Sequence, residues 1–184
     1  MKKFIALLTL MFSLQAQAAL LTVKLDRDQF TAGDEVIADI WISDLTTPLA
    51  GFDLSLWFDD SLFSFNQLVF GNKLSIKEVS IQDQSVVGNV LNFSETSFDF
   101  YYDLAEQQGS AFVLARITFD AIKGGMFDLK LDHVLLVDAD GFEFDANLIK
   151  VVDAQGNVVP APATALLLLP ALLFLGRRRQ LAAR

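Results

Sequence analysis

No cysteine occurs in the 184 residues, and histidine occurs once, at His133. The first absence excludes disulfides, a thiol nucleophile and any cysteine metal site; the second excludes a multi-histidine zinc centre. No G-x-S-x-G elbow surrounds any serine, so His133 has no nucleophile to activate. Positive charge is scarce where a polyanion would need it. All 23 acidic residues lie between Ala19 and Val159, against Lys24, Arg27, Lys73, Lys77, Arg116, Lys123, Lys130 and Lys150, a balance of −15. Such a surface repels nucleic acid and anionic lipid headgroups, and no nucleic-acid partner is expected.

What is present begins at the two ends. Met1-Lys2-Lys3 precedes an apolar run from Phe4 to Leu14, and Ala16-Gln17-Ala18 follows. Charge, short apolar segment and small-residue site, in that order, are the marks of a signal peptide over residues 1–18. Cleavage is expected between Ala18 and Ala19. At the other end, a segment over 158–184 starts with Val159-Pro160-Ala161-Pro162, runs apolar from Ala163 to Gly176 and closes with Arg177-Arg178-Arg179. The apolar part is short against the roughly 20 residues that span a bilayer, and its arginines suit the cytoplasmic side. An apolar helix closed by three arginines has no place in a soluble core.

This tail resembles the PEP-CTERM sorting signal of exosortase systems in Gram-negative bacteria, on Val159, Pro160, Pro162, Arg177, Arg178 and Arg179. Ala161 stands where that pattern has glutamate. The resemblance implies an exosortase-type processing enzyme as a partner; a plain membrane anchor is the alternative. Both readings make the chain exported, held at the envelope or surface or passed to the extracellular matrix.

Residues 19–157 read as one all-β domain. Apolar residues alternate with polar ones at period two, the mark of half-buried strands. Val36, Ala38, Ile40 and Ile42 share a face, as do Phe52, Leu54, Leu56 and Phe58, with Asp53, Ser55 and Trp57 opposite. Trp41 lies on the polar face of its own strand. Alternation also places Ala111, Val113, Ala115, Ile117, Phe119 and Ala121 together, and Phe127, Leu129, Leu131, Leu135 and Val137. Further strands are expected over 21–26, 62–70, 74–81, 90–95 and 142–152, with one helical turn over 104–108. Turn signals are Ala32-Gly33-Asp34, Thr46-Thr47-Pro48, Gly71-Asn72, Gly88-Asn89, Gly124-Gly125, Asp140-Gly141 and Gly156-Asn157. About nine short strands at this spacing predict a two-sheet β-sandwich or jelly roll, flanked by the signal helix and the C-terminal hydrophobic helix.

Three blocks in order resemble cohesin-type domains. They are Leu21–Asp26 with Thr31–Val36, then Gly51–Asp59 with Leu62–Phe65, then Ala111–Gly125 around Leu114-Ala115-Arg116-Ile117-Thr118-Phe119-Asp120-Ala121. The resemblance implies a non-catalytic module that grips a dockerin-like protein through one face of the sandwich. Carried over to this chain, it puts Asp53, Ser55 and Trp57 on that face.

Other constellations are weaker. His133, within the stripe Leu129 to Val137, is expected to be a core or rim imidazole with a hydrogen-bond partner. Asp138-Ala139-Asp140-Gly141 has carboxylates at alternate positions beside a glycine, as calcium loops do. It lacks the full loop spacing, and Asp-Gly between apolar runs favours a hairpin over Ca²⁺. Phe98-Asp99-Phe100-Tyr101-Tyr102-Asp103 offers Tyr101 and Tyr102 for stacking on sugars, against a plainer reading in which the phenylalanines plug the end of the sandwich. With so many acids, some pair meets the glycosidase separation by chance. No catalytic residue and no cofactor are expected. The favoured function is protein recognition at the cell surface; the alternative is a carbohydrate-binding or exopolysaccharide-associated structural protein, with an envelope glycoside hydrolase third.

Overall fold

A computed structural model describes residues 18–77 and 80–161. The signal segment over 1–17 and the tail from Pro162 to Arg184 lie outside the described residues. The order is β1 (Ala19–Leu25), β2 (Gln29–Thr31), β3 (Glu35–Ser43), β4 (Leu49–Trp57), β5 (Phe63–Phe70), β6 (Ser80–Val87), β7 (Val90–Ser97), α1 (Tyr101–Gln108), β8 (Ala111–Ala121), β9 (Gly125–Asp138), a 3₁₀ turn (Ala146–Leu148), β10 (Ile149–Val152) and β11 (Ala154–Val159).

The strands form two sheets, as alternation requires when each strand has one apolar face. The first runs β10-β1-β3-β8-β5 and the second β2-β11-β9-β4-β7-β6. Between them Leu21, Ile40, Ile42, Leu54, Leu56, Leu91, Ile117, Phe119 and Leu129 are fully buried. Phenylalanines knit the two sheets together: Phe63 on β5 meets Phe127 on β9 edge-on at 4.7 Å between ring centres. The facings expected for β3 and β4 hold residue by residue.

Other facings change part-way along a strand, and the cause is bulges. In β8, Ile40 pairs with Ala115 and Trp41 with Val113, so Leu114 is an extra residue. An inserted residue reverses the parity of everything beyond it. Phe112 and Leu114 therefore point inward, while Ala111 and Val113 leave the face expected for them. In β9, Leu56 pairs with Leu131 and Ser55 with His133, which inserts Asp132. Leu136 takes the core position, and His133, Leu135 and Val137 turn to the outer surface. His133 is exposed there, neither core nor rim.

Three further expectations are corrected. Gly156-Asn157 is no turn but lies inside β11, where a side chain on Gly156 would collide with the Phe127 ring. Of the strand expected over 74–81, residues 74–77 are not strand, whereas Ser80 and Ile81 are, in a β6 that continues to Val87. The segment 142–152 is mostly a turn before the short β10. β11 also carries the sheet to Val159, with Val158 buried, two residues past the expected boundary at 157. The helical turn expected over 104–108 is the end of α1. Leu104 and Gln108 are its buried residues, and Gln108 bonds both the N–H and the C=O of Leu49.

Candidate functional site

The outer face of the second sheet is built around β4. Strict alternation over Phe52 to Trp57 leaves Asp53 exposed and Ser55 and Trp57 half-buried on the outside, successive positions on one strand. Ser55 Oγ lies 2.7 Å from Asn92 Oδ1 on β7, which ties the middle of the strand to its neighbour. Asp53 and Trp57, at the two ends of this row, open into separate clefts.

Trp57 walls a cleft of about 690 Å³ with Asp28, Gln29, Asp59, Met126, Asp128 and Gln155. Met126 is 86% exposed there, an apolar side chain without cover. Acidic groups surround it. Asp59 accepts the Ser61 N–H at 2.9 Å, and the Ser61 hydroxyl and backbone bonds hold its carboxyl below the usual aspartate range. The site is thus an aromatic and a thioether beside anionic oxygens.

Asp53 borders the second cleft, about 450 Å³, with Gly51, Ser94, Thr96, Leu135, Val137 and Asp138. Leu135 and Val137 reach this surface only because of the bulge at Asp132, so alternation alone assigned them to the core. The sequence signal for the bulge is Asp132-His133, two polar residues in succession inside an apolar stripe. Trp41, the other outward tryptophan, lies on the first sheet with Lys24 Nζ 4.1 Å above its ring. It already has a cation over its face.

The sequence's other candidates are elsewhere. Asp138 Oδ1 accepts the N–H groups of Asp140 and Phe142 at 3.0 and 2.9 Å, so this carboxylate is engaged in closing its own turn. Among the described residues no group of three or more acidic or histidine side chains converges as metal ligands do. Tyr101 and Tyr102 open α1, their rings edge-on at 5.8 Å, with Tyr102 83% exposed. Phe98 and Phe100 do not plug the sandwich: they are 59% and 78% exposed. α1 closes that end instead, through Leu104 and Gln108.

Sequence reasoning missed Glu95. It sits on the inward parity of β7 after Leu91 and Phe93, 1% exposed. Gln82 Nε2 donates to its Oε1 at 2.8 Å, and its Oε2 has no partner among the described residues. Burial raises its carboxyl above the ordinary value, against the bonds from Gln82 and Ser80.

Comparison with solved structures finds cohesin modules of similar architecture. A type II cohesin from Bacteroides cellulosolvens superposes with a TM-score of 0.66 at 19% identity, over 77% of this chain and 99% of that one. A cohesin–X-dockerin complex from Acetivibrio cellulolyticus gives 0.65 at 13% identity, over 77% and 99%. The fold is cohesin-like. A non-cellulosomal cohesin from the archaeon Archaeoglobus fulgidus gives 0.60 at 13% identity, over 77% and 91%. No family model and no curated protein matches the sequence significantly. At these identities the likeness is one of cohesin-like fold.

Proposed function

We propose that this chain is an exported, non-catalytic recognition module, held at the cell envelope by its C-terminal segment, that grips a protein partner with the outer face of β9, β4 and β7. The observation that carries this reading is the row Asp53, Ser55, Trp57 lying between two open clefts on one sheet face. A half-buried tryptophan beside exposed Met126 has the composition of an interface hot spot. Asp28 and Asp59, beside an Asp128 already paired with Lys130 at 3.3 Å, ask for a partner that brings basic groups next to an apolar one. Cohesin-like neighbours include modules solved in complex with dockerins, which supports a protein as the partner class. Among the described residues no helix is long and apolar enough to cross a membrane; the tail proposed as tether is outside them.

The test is affinity capture from the extracellular fraction of the source cells, with wild type beside Trp57→Ala. Truncating Trp57 should cost roughly 2 kcal/mol or more of binding and, because the ring is half-buried, about 1 kcal/mol of folding. Leu56→Ala, one residue earlier and fully buried, should cost about 2–5 kcal/mol of folding. Equal thermal destabilisation by both variants would place the tryptophan's role in packing and move the recognition face elsewhere.

A second reading, glycan or exopolysaccharide binding, draws on the exposure of Tyr102 with Phe98 and Phe100. Glycan-array binding lost in Tyr101→Ala/Tyr102→Ala and kept in Trp57→Ala would favour it.

A further inference from the structure

The two sheets expose four edge strands, and three of them carry devices that discourage pairing with another chain. β2 has three residues and β10 four, too short to template much. β5 is broken by a bulge at Asn66. β6 has no such protection. Its eight residues pair with β7 from Ser80–Ser97 to Val87–Val90 without a register break. It contains no lysine or proline and one charge, Asp83. Apart from Ser80 every residue in it is exposed, with Ile81 at 63% and Val87 at 69%. Among the described residues nothing pairs with its outer edge.

We infer that β6 is a self-association edge, and that its occupant is β6 of a second copy of this chain, added antiparallel across a two-fold axis at Gln84. The hairpin sets the phase. Gly88, at φ +62°, opens the two-residue turn that joins Val87 to Val90. Val87 and Val90 therefore exchange the turn hydrogen bond, and alternation aims the backbone groups of Gln82, Gln84 and Val86 at the free edge.

Two copies can pair only where outward groups meet outward groups, which leaves a few registers. A two-fold at Asp83 puts like charges directly opposite each other, which is destabilising. A two-fold at Ser85 runs Gln82 into the turn glycine. The two-fold at Gln84 sets Gln84 against Gln84, Gln82 against Val86, Asp83 against Ser85 and Ile81 against Val87. It joins apolar to apolar on the outer face, sets no like charges directly opposite, leaves the two Asp83 side chains only as diagonal neighbours and forms about six backbone hydrogen bonds. The acidic balance of the domain opposes face-to-face self-association, and β6 is where that charge is sparse. The antiparallel arrangement sends the two chains' exits at Val159 in opposite directions, so such a dimer bridges two surfaces or forms after release from one.

The experiment uses the full chain in mild detergent, where neither copy is constrained to one bilayer, and reads mass by sedimentation. Wild type should be a concentration-dependent dimer. Gln84→Lys sets two cations on the axis, and Gln84→Pro removes an outward N–H at a position where an edge strand tolerates proline. Each should weaken dimerisation at least about tenfold with an unchanged melt. Because the chain has no cysteine, Gln84→Cys gives a direct probe: opposed α-carbons about 5.5 Å apart are within disulfide reach. It should oxidise to a covalent dimer, whereas Gln67→Cys on the bulged β5 should not. A wild type monomeric at all concentrations, or a dimer that survives both Gln84→Lys and Gln84→Pro, overturns the inference. Neither result depends on Trp57 or its partner, so the recognition face stands or falls separately.

Discussion

Glu95 is a carboxyl that the sandwich closes over, with one oxygen bonded to Gln82 and the other facing no partner among the described residues. Its folded pKa is raised, chiefly by desolvation. From about 4.5 upward the unfolded chain has released the proton while the native state still holds it, so stability falls as pH rises through that window and levels off above the folded value. Glu95→Gln should therefore raise the melting temperature at neutral pH and converge on wild type towards pH 4.5. Melts across that range that run parallel would show that the carboxyl is not the source of the pH dependence. Asp138 is the opposite kind of acid, half-buried, with Oδ1 bonded twice by its own turn. Asp138→Ala strips two bonds from its turn and should cost about 1–2 kcal/mol by denaturant titration. The same loss with and without millimolar Ca²⁺ is expected of a carboxylate that closes a hairpin; a Ca²⁺-dependent stabilisation present only in wild type would assign it to a metal.

Bulges set which elements present which residues. Asp132 in β9 carries Leu135 and Val137 to the candidate face, and Leu114 in β8 keeps Phe112 in the core. The β8 bulge is locked by a neighbour. Gly71 donates its N–H to Leu114 O at 2.7 Å, and a Cβ there would lie 2.1 Å from Val113 O. That contact is with backbone, which cannot swing aside as a side chain does. Gly71→Ala should thus cost about 2–4 kcal/mol, far more than an exposed loop substitution. A loss near 0.5 kcal/mol in a thermal or urea melt would mean that the chain after β5 shifts freely. β6 shows the converse at element scale. Gln82, Asp83, Gln84 and Ser85 give it no apolar stripe, because an edge strand exposed along its length has no face to bury.

At the scale of the whole molecule the chain enters and leaves at opposite ends of the sandwich. Leu20 pairs with Ser43 near α1, whereas Val158 pairs with Gly125 at the far end. The chain thus leaves β11 at the end opposite α1, Phe98, Phe100 and Tyr102, which is the end the proposed tether would hold. Deleting 163–184 should release the domain into the soluble fraction with an unchanged melt, since Val158 closes the core before that segment starts. Unchanged retention in a membrane pelleting assay would remove the tether from the reading. Intact mass of envelope material should show a chain beginning at Ala19, the first residue of β1.

The sequence by itself determined the all-β class, the two-sheet sandwich and the facing of β3 and β4, because the pleat is local: residues two apart share a face whatever lies beside them. It also settled that no thiol or multi-histidine chemistry is available. Tertiary structure decided the rest. A bulge is a relation between two strands, so the surface positions of His133, Leu135 and Val137 depend on how β9 meets β4. The exposure of Phe98 and Phe100 depends on α1 taking the end they were expected to fill. The burial of Glu95 depends on a sheet folding over the inward face that it shares with Leu91 and Phe93. The two clefts beside Trp57 and Asp53 exist only once β2, β11 and β7 have been brought from distant parts of the chain to flank β4 and β9.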